Sequence, residues 1–160
     1  MANYIQNEII DLLIKNNLTI STAESVTAGM ISSYLARVPG CSKALKGGFV
    51  VYSNYAKMKL CNVKKSTLEN FGAISKECVE ELALNTNKIL NTDISIAISG
   101  NAGPICDENK PVGFAYLCIC VIDKLYVYEL LSKEKERNDI RIDLAHMAYE
   151  ELLKLLKEIV

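Results

Sequence analysis

Apolar residues recur at Ile5, Ile9, Leu12 and Leu13, the spacing of a single helix face, and predict a helix over residues 2–17. The short β-branched run 18–23 (LTISTA) predicts a strand. A polar stretch comes next, and then Met30, Ile31, Tyr34, Leu35 and Val38 return to helical spacing until Pro39-Gly40 stops it. Residues 47–54 (GGFVVYSN) predict a second strand. Ser66 with Glu69 has the spacing of a capping box for a short helix ending at Phe71-Gly72, and Ser75 is placed to cap the next helix, which carries Val79, Leu82, Ala83 and Leu90. Residues 93–99 (DISIAIS) alternate isoleucine with small residues, a strand with one bulky face. Residues 113–122 and 125–131 predict a hairpin turning at Asp123-Lys124. Ile140, Leu144, Ala148, Leu152, Leu155 and Ile159 hold helical spacing through a last helix over about 134–158.

The predicted order α β α β α α β β β α, with strands alternating with helices, implies an α/β fold, a three-layer sandwich around a mixed, mostly parallel sheet. No repeat, low-complexity segment or linker divides the 160 residues, so the expectation is one domain over 1–160. Half of the residues are hydrophobic and 23% are charged, an ordinary globular balance. The net charge of −1 argues against a nucleic-acid partner, which calls for a basic face. No apolar run reaches the roughly 18–20 residues of a membrane span, and residues 1–17 mix acids and amides into their apolar pattern, unlike a signal peptide. The expected location is cytoplasmic. Apolar positions on the long helices make a homodimer an expectation too.

Six cysteines stand at 41, 61, 78, 106, 118 and 120, none in a C-x-x-C pair, and read as small apolar residues in a reducing compartment rather than as metal ligands. Cys118 and Cys120 are expected on one sheet face. The single histidine, His146, lies inside the last helix, which argues against a Ser-His-Asp triad and against a histidine metal cluster.

In an open α/β sheet, ligands bind beyond the carboxyl ends of the strands. Three polar loops are predicted there. The first, Glu24-Ser25-Val26-Thr27-Ala28-Gly29, opens a helix; it is either an anion site on free backbone amides or a plain cap by Ser25 or Thr27. The second runs from Tyr52 through Asn54 to Lys57, where the lysine is either a general base beside a serine or a solvated surface cation. The third holds Ser99-Gly100-Asn101-Ala102-Gly103-Pro104, whose glycines either turn the chain or admit a ligand.

Five segments together resemble the CinA C-terminal domain: TAESVTAG at 22–29, PGCSKALKGGFVVYSNYAK at 39–57, GAIS at 72–75, SGNAGP at 99–104 and KPVG at 110–113. The resemblance covers about Asn7 to Leu156. It implies a stand-alone domain, without the molybdopterin-binding-like domain of longer CinA proteins. It also implies deamidation of nicotinamide mononucleotide to nicotinic acid mononucleotide and ammonia, with no cofactor and no metal. By the same resemblance Ser25 matches the nucleophile. Tyr52 and Lys57 match the Tyr and Lys of the family's second motif, and Arg137 and Arg141 resemble the paired arginines that open its last helix. Thr27, Ala28, Gly29, Asn54, Gly100, Asn101, Ala102 and Gly103 join the two arginines as expected substrate contacts. The alternative is a degenerate relative that binds a nucleotide or a protein without turnover.

Two departures bear on that choice. Ala28 stands where the family has glycine, which requires a negative φ or room for a methyl. Ile105-Cys106-Asp107-Glu108-Asn109 replaces a glycine-rich stretch, and its two carboxylates would oppose a phosphate unless they point away.

Overall fold

The computed structural model describes residues 4–160. Its elements are α1 (Tyr4–Lys15), β1 (Ile20–Glu24), α2 (Met30–Leu35), a 3-10 turn (Cys41–Lys43), β2 (Leu45–Val50), α3 (Asn54–Cys61), α4 (Lys65–Phe71), α5 (Lys76–Leu90), β3 (Ile94–Gly100), β4 (Phe114–Val121), β5 (Lys124–Leu131) and α6 (Arg137–Ile159). The start predicted for the first helix, at residue 2, lies outside the described residues.

The five strands lie in the order β2-β1-β3-β4-β5. β1 is parallel to both β2 and β3, β4 is antiparallel to β3, and β5 is antiparallel to β4. Four strands therefore run in one sense and β4 alone is reversed, so the sheet is mixed and mostly parallel. The carboxyl ends of β1, β2, β3 and β5 meet at one edge, where the site lies.

Side-chain alternation divides the core into two layers. Ile94, Ile96 and Ile98 of β3 and Leu117 and Ile119 of β4 pack with α1, α2 and α6. Ala97, Cys118 and Cys120 face the opposite way, against α3, α4 and α5. Small residues on that second face bring α5 close, and Ser95 donates from β3 to the Ala83 carbonyl of α5. All six cysteines are free thiols: Cys61, Cys78, Cys118 and Cys120 are buried, Cys41 is half-buried and Cys106 exposed. Among the described residues no helix is long and apolar enough to cross a membrane.

Several local expectations give way. The predicted strand 47–54 ends at Val50, and a helix, α3, begins at Asn54 inside the expected loop, with Ser53 Oγ accepting from the Ala56 amide at 3.0 Å. The Ser66–Glu69 box does not form: α4 starts at Lys65 with no side-chain cap, and Glu69 lies 3.6 Å from Lys65 Nζ instead. Ser75 does cap α5, accepting from the Cys78 amide at 3.1 Å. The hairpin turns at Ile122-Asp123, one residue earlier than expected, because Val121 pairs with Lys124.

Candidate functional site

β1 delivers the first loop to the sheet edge, and the last residue of the strand organises the start of α2. Glu24 is buried, and its carboxylate accepts from Thr27 Oγ1 at 2.7 Å, the Ile31 amide at 2.7 Å and the Ser32 amide at 3.1 Å. The anion at the start of α2 is thus the protein's own. This corrects both readings of that helix start: neither Ser25 nor Thr27 caps it, and its first amides are not open to a ligand phosphate. With Glu24 as the cap, the Ser25 hydroxyl is left free for chemistry. Backbone bonds hold Ser25 in place, its amide donating to the Ile98 carbonyl at 3.1 Å. Arg141 reaches across from α6 to the next two carbonyls, Val26 (2.9 Å) and Thr27 (3.3 Å).

Lys57 lies in the first turn of α3 and points inward, only 2% exposed. Its Nζ donates to Ser25 Oγ at 3.1 Å and to the Val51 carbonyl at 2.9 Å. A solvated surface lysine is therefore excluded. Burial disfavours the ammonium and lowers the pKa of Lys57; the nearby Cys78, Glu108 and Cys61 pull the other way. Burial pushes the Cys78 thiol up to about 12 and Cys61 up as well, so both stay neutral beside the lysine near pH 7.

The third loop forms the facing wall. Ser99, Gly100, Asn101 and Ala102 line a cavity of about 390 Å³ shared with Ser25, Lys57, Tyr52, Asn54 and Arg137. Asn101 holds its own loop: its Oδ1 accepts from the Gly103 amide at 2.9 Å, and its carbonyl accepts from the Gly113 amide at 2.7 Å. Gly100 is required by β4, since a Cβ there would meet Ala115 Cβ at 2.5 Å. Arg137 donates to the Tyr52 hydroxyl at 2.7 Å and to the Gly103 carbonyl, tying the second loop to the third. Tyr52 is more than half exposed and hydrogen-bonds with this arginine on the cavity wall.

The remaining wall comes from Ala73 and Ile74, between α4 and α5, and from Asp107 and Glu108. Both acidic residues line the cavity. Glu108 accepts from the Ile74 amide at 3.2 Å. Positive φ in this loop falls on Glu108 (50°) and Asn109 (59°), and not on Ile105, whose side chain stands out in solvent.

Five expected contacts lie outside the cavity lining. Thr27 is turned inward to Glu24, Arg141 is committed to backbone carbonyls, and the Gly103 carbonyl is held by Arg137. Ala28 and Gly29 have φ of 47° and 100°; they shape the turn, and Ala28 fails the first condition for replacing glycine, being left-handed, but meets the second, since it is exposed and its methyl has room. His146 also lies away from the site, 3.3 Å from Glu150 one turn along α6. Sequence reasoning missed the cap role of Glu24, the wall at Ala73-Ile74 and the inward aim of Glu108. Glu24 left a signal as an acid at a strand end just ahead of a helix, and Ala73-Ile74 left one in the GAIS segment at 72–75. Among the described residues no group of three or more His, Cys, Asp or Glu side chains is arranged to hold a metal ion.

Residues 2–156 match the CinA C-terminal domain. Protein MG115 homolog of Mycoplasma pneumoniae is 47% identical over 133 residues, 83% of this chain and 85% of that protein. A CinA-like protein of Petrotoga mobilis is 38% identical over 151 residues, 94% of this chain but 37% of the relative, so the chain spans little more than a third of that longer protein. The crystal structure of competence/damage inducible protein CihA from Agrobacterium tumefaciens superposes with a TM-score of 0.90 at 30% identity, covering 96% of this chain and 94% of that one. With the family matched along nearly its whole length and the fold shared, the chain belongs to the CinA C-terminal domain family.

Proposed function

We propose that the chain is an amidohydrolase that converts nicotinamide mononucleotide and water to nicotinic acid mononucleotide and ammonia. The observation that carries this reading is the buried Lys57 Nζ at 3.1 Å from Ser25 Oγ. A hydroxyl attacks a carboxamide only when a base removes its proton, and a lysine with a lowered pKa is such a base without any histidine. In this reading Ser25 Oγ bonds to the carboxamide carbon while its proton passes to Lys57 Nζ. The C–N bond then breaks, the Lys57 proton goes to the departing nitrogen, and ammonia leaves an ester on Ser25. Water cleaves the ester, giving its proton to Lys57, which returns it to Ser25. Val26 and Ala102 both line the cavity, and among the described residues their amides enter no other hydrogen bond; they are the donors proposed for the oxyanion. Arg137, at the rim, is the proposed phosphate contact.

A second reading, a mononucleotide-binding relative without turnover, is favoured by Asp107 and Glu108, which put two negative charges on the wall of a site for an anion. One assay divides the two. The unmodified chain should release ammonia from nicotinamide mononucleotide, and Ser25→Ala should release none while remaining folded, with a stability loss of about 1 kcal/mol from the lost hydrogen bond to Lys57. A chain that is stabilised by the mononucleotide yet releases no ammonia at high concentration would move the assignment to the second reading.

A further inference from the structure

The loop that departs from its family's glycine-rich pattern is built to hold one carboxylate at one place. Asp107 and Lys110 pair as an antiparallel bridge, with the Lys110 amide donating to the Asp107 carbonyl at 2.8 Å. Glu108 and Asn109, the two residues between, both have positive φ, the pattern of a tight hairpin turn of type I′. The turn extends Glu108 across the cavity mouth to the connection between α4 and α5. There it accepts from the Ile74 amide and fills the notch above Gly72, where an added Cβ would lie 1.8 Å from Glu108 Oε1. The latch supplies one amide donor, and among the described residues no ion pair ties up the carboxylate.

Three places in the cavity have distinct chemistry. The first is Lys57 hydrogen-bonded to Ser25, the second Arg137 hydrogen-bonded to Tyr52, and the third Ala73, Ile74, Asp107 and Glu108, joined by the bond from the Ile74 amide to Glu108. A substrate with its carboxamide at Ser25 and its phosphate toward Arg137 lays its ring against the remaining wall. In nicotinamide mononucleotide that ring is an N-alkylated pyridinium and carries a positive charge. Arg137 and, whenever it carries a proton, Lys57 are the cations of the cavity, and both then repel such a ring. On the reading of the cavity as a pyridine mononucleotide site, we infer that Glu108 is a specificity-determining residue, whose latched carboxylate is the counter-charge that selects the cationic, oxidised pyridinium ring over a neutral one. The two charges that would oppose a phosphate alone thus suit a ligand carrying charges of both signs. Asp107 lines the same wall, but among the described residues its carboxylate has no hydrogen bond that holds it, and it is the lesser contributor.

The test compares two ligands that differ in ring charge: nicotinamide mononucleotide and its 1,4-dihydro form, which keeps the phosphate and has an uncharged ring. Calorimetric titration of Ser25→Ala measures both affinities without turnover. The oxidised form should bind at least about tenfold more tightly, the ratio that about 1.4 kcal/mol supplies. In Ser25→Ala with Glu108→Gln the preference should vanish or reverse, because Lys57 and Arg137 then favour the more anionic dihydro form. Glutamine keeps an oxygen for the Ile74 amide, so the latch persists while the charge goes. If that double variant does not fold, the salt dependence of the preference in Ser25→Ala decides: it should narrow as salt rises. Equal affinities in Ser25→Ala, a preference untouched by Glu108→Gln, or one independent of salt would each overturn the inference. Ammonia release by the unmodified chain is read separately. Preference without ammonia removes the hydrolase reading and leaves this one; ammonia without preference does the opposite.

Discussion

Lys57 is held away from water in the folded chain and fully hydrated in the unfolded one. Its folded pKa lies below the ordinary 10.5, so between those two values the unfolded chain binds more protons. Stability therefore rises with pH across that window, and the burden of the buried ammonium is greatest below the folded pKa. Lys57→Met should lower kcat by roughly 10²–10⁴-fold and raise stability at neutral pH by about 1 kcal/mol, with the gain shrinking as pH climbs toward the lysine range. Thermal melts across pH beside ammonia assays check both halves; a variant less stable than the parent at pH 7 would show that the bonds to Ser25 and Val51 outweigh desolvation. The kcat/KM profile of the parent should rise with a midpoint below 10.5. At this scale the sequence was partly legible. Ser25 and Lys57 are identifiable as chemistry-bearing types, but the contact between them joins residues 32 positions apart, and only the fold brings it about.

At the scale of elements, legibility followed periodicity. β3 reads correctly because isoleucine alternates with Ser and Ala on its two faces, and α6 because its apolar spacing persists over 23 residues. α3 was hidden because its inward positions are Lys57 and Cys61, one turn apart. A lysine in a core slot removes the apolar signal that would reveal the helix. The hairpin turn was displaced for another reason: its first central residue, Ile122, is β-branched, exposed and at φ 59°, where glycine is favoured. Ile122→Gly should stabilise the chain by about 0.5–1 kcal/mol, the relief of left-handed strain less glycine's entropy. Urea melts with an unchanged m-value would establish it, and a loss of stability would mean that the Ile122 side chain contributes more packing than its exposure suggests.

Across the whole molecule, the site depends on a helix that contributes no reacting group. α6 packs on the face opposite α3, yet its Arg141 holds the Val26 and Thr27 carbonyls from 115 and 114 residues away. Hydrogen bonds from a charged donor are worth about 1.5–3 kcal/mol, enough to set the position of the nucleophile's loop. Arg141→Met should lower kcat about tenfold with KM nearly unchanged, since Ser25, Lys57 and the cavity walls all remain. An unaltered kcat would show that Glu24 holds the loop unaided. The loop carrying Glu108 stands in contrast to these tightly interlocked parts. It leaves the sheet edge after Asn101 and returns at Gly113, and those two residues are joined to each other by a 2.7 Å hydrogen bond. Everything between them is an excursion closed at its base, and neither Ser25 nor Lys57 lies within it. Mutation can therefore rewrite the tip of the excursion, Cys106 to Asn109, trading glycines for carboxylates or lengthening it, without touching the core, Ser25, Lys57 or Ala102. In a lineage of such chains, the bond broken and the molecules admitted are free to evolve on separate schedules.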